Sequence, residues 1–293
     1  MMNESAAHLS LAEVPVTADP ATGQSRVNPP QIQPAVVTSK VARGCLVVNA
    51  DDWGRDTVTT DRILDCIKVA SVSSASAMVF MEDSERAATL ACERKIDAGL
   101  HLNFTTQFSA SNCPAQLREH QHQLGRYLLR HRFAQTVFHP GLMQSFEYVV
   151  AHQIDEFRRI YGTEPARLDG HHHMHLCANV LWQGLLPAGA IVRRGLFFNR
   201  TEKGLLNRLY RKLINRRLAR RHRLLDFLFN LSPLEPASRL QRIYSLARDF
   251  AVELEVHPVN PDEYQYLTGG EIFCHIKDFP ITASAALLRN NEQ

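Results

Sequence analysis

From Cys45 onward, short apolar runs alternate with longer stretches whose apolar residues recur at helical spacing. CLVVNA (45–50), SSASAMVF (73–80), AGLHLNF (98–104), ARLDG (166–170), AIVRR (190–194), DFLFNL (226–231) and AVELEVH (251–257) each read as a strand bounded by polar or turn-forming residues. The segments 56–70, 83–95, 115–133, 144–161, 178–186, 203–222 and 236–249 read as helices. In the first of these the apolar period runs through Val58, Ile63, Ile67 and Val69, and Asp83 or Ser84 offers an N-cap for the second. Strands alternating with helices imply βαβ units and a parallel sheet, so the pattern predicts an α/β barrel or doubly wound sheet of about seven parallel strands. No internal repeat or change of character divides 44–293, which reads as one domain.

Residues 1–43 lack any such period and are rich in Pro, Ala, Thr and Gln; they are expected to form a disordered extension. Composition changes this picture little. With 45% apolar and 22% charged residues, the 293-residue chain has the balance of a soluble globular protein. A net charge of +3 gives no argument for nucleic acid as a partner. There is no apolar run of the roughly 18–20 residues that span a bilayer, and the N-terminus does not read as a signal peptide. The six cysteines are scattered without a C-x-x-C pair, which suits buried thiols in a reducing cytosol.

The chemistry collects at the strand ends. The first strand finishes in Asn49, Asp51 and Asp52, the third carries His101 and Asn103, the fourth ends in Asp169 and His171, and the last in Glu255 and His257. In parallel α/β folds the C-terminal strand ends form the active-site face, so these residues are expected to converge on one mouth. An Asp and two His from different strands make a three-ligand metal site that keeps a position open for water or substrate. A second carboxylate beside the first is placed to take a proton, and a histidine from another strand to return one. On an extended chain Asp51 and Asp52 point in different directions, so that one binds metal while its neighbour stays free. In the tract DGHHHMH (169–175), His171 stands closest to the strand end and is the best ligand candidate; His173 and His175 fall behind it as supporting or substrate-facing groups.

NADDWG (49–54), GLHLNF (99–104), LDGHHHMH (168–175) and EVHP (255–258), in that order, resemble the YdjC-type carbohydrate deacetylases, which include chitooligosaccharide deacetylases and hopanoid-biosynthesis-associated relatives. The resemblance implies a polysaccharide-deacetylase-like (β/α) barrel holding one divalent ion, Mg2+ or Zn2+. It implies Asp52, His101 and His171 as metal ligands, Asp51 as general base and His257 as general acid. Asp169, His173, His175, Asn103 and Trp53 are expected around them as substrate-binding or supporting residues. The implied reaction is hydrolysis of an N-acetyl group from an amino sugar in an oligosaccharide or glycolipid, with release of acetate. Trp53 departs from the Phe more common in the family, and EVHPV from the commoner glycine after HP.

Two other functions fit the same residues. A non-catalytic glycan-binding barrel would keep the fold, and a non-haem iron enzyme also uses two His and one carboxylate. The segment 193–223 adds a separate feature: Leu205, Leu206, Leu209, Leu213, Ile214 and Leu218 form an apolar stripe among many Lys and Arg. Its first reading is an amphipathic helix packed on the barrel with a solvated basic side. Its second is contact with anionic lipid, which would make a cytoplasmic protein peripheral to the membrane.

Overall fold

All seven expected strands are present in the computed structural model, which describes residues 44–131, 133–198, 204–276 and 280–283. The expected N-terminal extension and residue 203, the expected start of the basic helix, lie outside the described residues. The strands are β1 (Cys45–Trp53), β2 (Ser74–Ala77), β3 (Ala98–Leu102), β4 (Arg167–Gly170), β5 (Ile191–Val192), β6 (Phe227–Asn230) and β7 (Ala251–Val256). They form one parallel sheet in the order β5-β4-β3-β2-β1-β7-β6. The sheet curls into a half-barrel whose edges touch. Val192 N–H donates to the Arg223 carbonyl at 2.9 Å, and Phe197 N–H donates to that of Leu228 at 3.0 Å.

Around it lie α1 (Thr57–Lys68), α2 (Ser84–Arg94), α3 (Ala115–Leu128), α4 (Met143–Tyr161), α5 (Ala178–Gln183), α6 (Leu205–Leu218), α7 (Ala237–Leu246) and α8 (Pro261–Thr268). The last escaped the apolar period because it is a short helix with few buried apolar residues, Tyr266 and Leu267. Its start is set instead by Asn260, whose side chain accepts from Asp262 N–H, and by Pro261 in the first turn. Several expected helices end early. The fifth stops at Gly184, which takes a left-handed backbone at φ 66 and closes the helix. At the start of α2, Asp83 makes no cap bond; Arg86 holds its carboxylate, while the Ser84 hydroxyl accepts from Met81 N–H.

Strand residues point alternately to the two faces of the sheet. Leu46, Val48 and Ala50 of β1, Leu100 and Leu102 of β3, and Val252, Leu254 and Val256 of β7 join the main apolar core with Ile63 of α1 and Phe146, Val149 and Phe157 of α4. The intervening positions carry Asn49, Asp51, Ser76, His101, Arg167, Asp169, Glu253 and Glu255, all buried. The inside of the curl is therefore polar, and only its end at the strand N-termini is sealed by apolar packing, through Val47, Ile191 and Leu225.

The basic helix departs from its expected packing. Ile214 and Leu218 do reach the core, but Leu205, Leu206, Leu209 and Leu213 are exposed. The helix meets the barrel through the side that carries Arg211, Ile214, Asn215 and Leu218, with the Asn215 side chain accepting from Gly195 N–H at 2.8 Å. Tertiary docking thus selected a different arc from the one on which most leucines lie.

Gly99 shows how tightly the strands fit beneath the polar interior. A Cβ there would stand 2.8 Å from the Arg167 carbonyl oxygen and 2.9 Å from the Arg167 guanidinium carbon. Gly99→Ala is expected to destabilise the fold by about 1–3 kcal/mol, read as a lower midpoint in urea unfolding.

Candidate active site

The Asp51–Asp52 doublet reaches the site through a break in β1. The register against β2 slips between Ala50 and Trp53, and Asp52 takes a left-handed backbone at φ 70. A bulge of this kind re-aims side chains at a strand end. Both carboxylates therefore face the same mouth, where an unbroken strand would send them to opposite sides. Nor is Asp51 free, as the sequence led us to expect. Its oxygens accept from Arg193 Nη1 and Nη2 at 2.6 and 2.7 Å, and Oδ1 also accepts from Asn49 Nδ2 at 2.8 Å. Burial alone would raise the Asp51 pKa, but the Arg193 guanidinium and His101 hold it below the ordinary value.

Asp52, His101 and His171 come together as expected. His171 Nδ1 lies 2.9 Å, and His101 Nε2 3.4 Å, from Asp52 Oδ1. Asp52 Oδ1 and His101 Nε2 are buried without a hydrogen-bond partner, the state of atoms whose lone pairs are aimed at a cation. The other ligating atoms are committed. Asp52 Oδ2 accepts from Arg55 Nη1 at 2.7 Å, and His101 Nδ1 pairs with Asp169 Oδ1 at 2.7 Å. That carboxylate–imidazole contact is the arrangement that orients a metal-binding histidine and sets its tautomer. Two further groups, Asp51–His101–Asp169 and Asp51–Glu255–His257, also bring donor atoms within 4.8 Å. In the first, Asp51 and Asp169 already serve Arg193 and His101 Nδ1. In the second, Glu255 Oε2 is unpartnered but stands 3.4 Å from Arg193 Nη1, so Asp52, His101 and His171 form the set that offers two unpartnered atoms.

The local electrostatics favour a cation. Five buried carboxylates, Asp51, Asp52, Asp169, Glu253 and Glu255, share the interior with two buried guanidinium groups, Arg167 and Arg193. Burial would depress the His101 pKa, yet Asp51 and Asp169 overcome it and push it up to about 10. A field that holds a proton so firmly on this imidazole equally attracts a metal ion. Asp52, despite its burial, is held well below the usual carboxylate range by the His101 and His171 imidazoles beside it.

After β4 the chain does not stay extended. Residues 171–176 form a 3-10 turn in which His172 and His173 take left-handed backbones, at φ 55 and 56. A non-glycine residue pays about 1–2 kcal/mol for that conformation, and the turn aims successive histidines in different directions. His171 faces Asp52, His172 Nδ1 meets the Thr105 hydroxyl at 3.1 Å, and His173 Nε2 stands 3.5 Å from Glu255 Oε2. His175 folds back beneath the mouth, with Nε2 2.9 Å from the Arg193 carbonyl. It passes so close to β4 that a Cβ on Gly170 would lie 3.0 Å from its backbone nitrogen. Burial lowers both His173 and His175 to about 3, so each is neutral.

His257 completes the mouth from the end of β7. Its Nε2 lies 3.9 Å from Asp51 Oδ2 and 3.8 Å from Glu255 Oε1, and the side chain is about one-third exposed, at 36%. Glu263 of α8 accepts from His257 N–H at 2.6 Å, and Arg62 of α1 donates to the Val259 carbonyl at 2.7 Å, so two helices fix this turn. Glu255 lies directly behind. Burial, opposed by Arg193, raises its pKa to about 7.

The remaining expected residues are set back from the mouth. Trp53 is fully buried, and its indole N–H donates to the Ala87 carbonyl at 3.2 Å. Asn103 is also buried and ties the following turn, accepting from the backbone N–H groups of Thr105 and Thr106. Asp169 has no exposure and holds His101 while accepting from Ser76 and Arg167, with the Arg193 guanidinium 3.0 Å away as an ion pair. These three, with His175, support the site from behind, leaving His173 as the group of that set on the wall of an open groove. The pattern of strand ends did not single out Arg193 as a site residue. Its signal was the RR doublet at the end of AIVRR, a charge where a buried strand leaves the sheet, masked by the basic segment that follows.

A family model described as YdjC-like protein matches residues 45–281. Chitooligosaccharide deacetylases from Yersinia pestis (strain Pestoides F) and Yersinia pseudotuberculosis serotype O:1b are each 29% identical over 136 residues, covering 46% of this chain and 52% of the relative. The chain thus spans about half the length of the curated relatives it matches. Among solved structures, one from Enterococcus faecalis V583, described as a candidate cellobiose-phosphate cleavage protein, superposes with a TM-score of 0.59 at 17% identity. That superposition covers 84% of this chain and 99% of the other, a likeness of fold. The family match runs through all seven strands and every residue of the mouth, and the chain belongs to the YdjC-like family.

Proposed function

We propose that this protein is a metal-dependent amide hydrolase that removes the N-acetyl group from an acetylated amino sugar and releases acetate. The observation that carries the reading is the pair of buried, unpartnered atoms, Asp52 Oδ1 and His101 Nε2, with His171 Nδ1 beside them. The substrate class is taken from the family relatives, which are chitooligosaccharide deacetylases.

Asp52, His101 and His171 would hold one divalent ion, Zn2+ or Mg2+, with Asp169 orienting His101. Such an ion supplies Lewis-acid chemistry, activating a water and polarising an amide carbonyl. Asp51 takes the proton of the attacking water, and Arg193 fixes the carboxylate so that it meets the water in one geometry. The same guanidinium weakens Asp51 as a base, a cost that positioning offsets. His257, at the rim and the most exposed of these groups, donates a proton to the departing amine. Glu255 Oε1 stands 3.8 Å from His257 Nε2 and lines the same rim. His257 Nε2 and Asp51 Oδ2 lie 3.9 Å apart, so the two proton-transfer groups face one pocket.

Two experiments test this reading. Asp51→Asn is expected to retain bound metal, measured by elemental analysis, and to lose acetate release from N-acetylated chitooligosaccharides by about 10²–10⁴-fold. Near-normal turnover in that variant would move the base assignment to Glu255. Asp169→Asn should weaken metal binding by about 10–100-fold in competition with a chelator, because His101 loses the group that orients it. Unchanged metal affinity would remove His101 from the ligand set.

A further inference from the structure

We propose that the outward face of α6, with Trp182 beside it, docks on an anionic phospholipid bilayer. Leu205, Leu209 and Leu213 follow one another at four-residue spacing and are 63%, 48% and 63% exposed, and Leu206 next to them is 83% exposed. A helix packed only for stability does not leave four leucines in water; a contiguous patch of this kind marks a contact surface. Trp182 of α5 is 63% exposed, and it lines one hollow together with Tyr210 and Leu213. The Arg217 guanidinium covers its ring at 4.1 Å, leaving an amphipathic rim of the type found at membrane interfaces.

Charge selects the occupant. Residues 204–223 contain eight Lys and Arg and no Asp or Glu. Lys212, Arg216 and Arg220 are exposed on the same side as the leucines, so apolar and cationic groups face outward together. Long basic side chains there can reach headgroup phosphates while the leucines enter the acyl boundary. A second copy of this chain would set basic helix against basic helix. Residues 1–43 offer no complement either, since Glu4, Glu13 and Asp19 are balanced by Arg26, Lys40 and Arg43. An anionic lipid surface satisfies both halves of the face.

The placement bears on the site. Leu206, Tyr210 and Arg211 of α6 line a groove of about 890 Å3 together with His172 and His173. Docking through α6 sets the mouth of the half-barrel beside the membrane surface, within reach of molecules that lie in it. The inference does not depend on which bond the site cleaves.

Co-sedimentation of the full chain with phosphatidylcholine vesicles, with and without phosphatidylglycerol, reads the interaction directly. Binding is expected only with the anionic lipid, weakening as salt rises. Leu209→Glu/Leu213→Glu should reduce the partition coefficient by at least about tenfold, since each leucine otherwise leaves water. Arg216→Glu/Arg220→Glu should also lose binding, by about tenfold. Both pairs are solvent-facing, and an unchanged melting temperature confirms that the fold survives. Equal sedimentation with neutral and anionic vesicles, or full binding by the leucine variant, overturns the proposal. So does a wild-type dimer in light scattering that the leucine variant breaks while vesicles bind neither, which would make the face a self-association surface.

Discussion

The structure is organised around one buried guanidinium. Arg193 leaves the end of β5, crosses the inside of the curled sheet and donates to Asp51 of β1 and Glu253 of β7, with the Asp169 carboxylate of β4 at 3.0 Å. It links three strands that are not neighbours of its own alone: β4 is, while β1 and β7 lie across the curl. A charge moved from water to such a place is costly unless several partners meet it. Here the planar fork of the guanidinium suits bidentate pairing with Asp51. Removing one member of a buried pair of this kind typically costs about 3–5 kcal/mol, because the other is left uncompensated.

The same interaction shapes the chemistry. Arg193 lowers the Asp51 pKa, contributes to the depression of Asp169, and is the chief lowering influence on Glu255, which burial nevertheless raises to about 7. Carboxylates still outnumber guanidinium groups inside the curl. The imbalance falls toward the mouth, where Asp52 Oδ1 and His101 Nε2 have no partner. A cation site and a proton-transfer pair thus share one electrostatic field. Its inner boundary is Arg193 and Arg167; its outer boundary is the partly exposed His257.

Backbone strain serves the same geometry. Asp52, His172 and His173 all take left-handed conformations, and all three stand at strand ends around the mouth. Such outliers persist only where the surrounding structure over-determines them. The Asp52 turn is held by Arg55, whose backbone N–H and guanidinium both bind it. Around His172 and His173, the Thr105 hydroxyl and Glu255 take the rings. Beside this rigid centre, α6 touches the barrel along a narrow arc and exposes the rest, so its sequence answers to a different constraint.

Much of this was legible in the chain. Alternating apolar runs and helical periods were enough to call for seven parallel strands, because a buried strand and a surface helix leave different repeats. Parallel strands also put their C-terminal ends together, which is why Asp52, His101, His171 and His257 could be expected at one mouth. Other features belong to the tertiary structure alone. That the inside of the curl is filled with charge followed from which alternate residues faced inward, and no run of residues records what lies across a barrel. The bulge that turns Asp51 and Asp52 to one side depends on a slip in pairing with β2. The bond from Arg193 to Asp51 joins residues 142 positions apart. The exposed leucines of α6 were decided last: the sequence determined that the helix is amphipathic, but only docking chose which arc would meet the barrel.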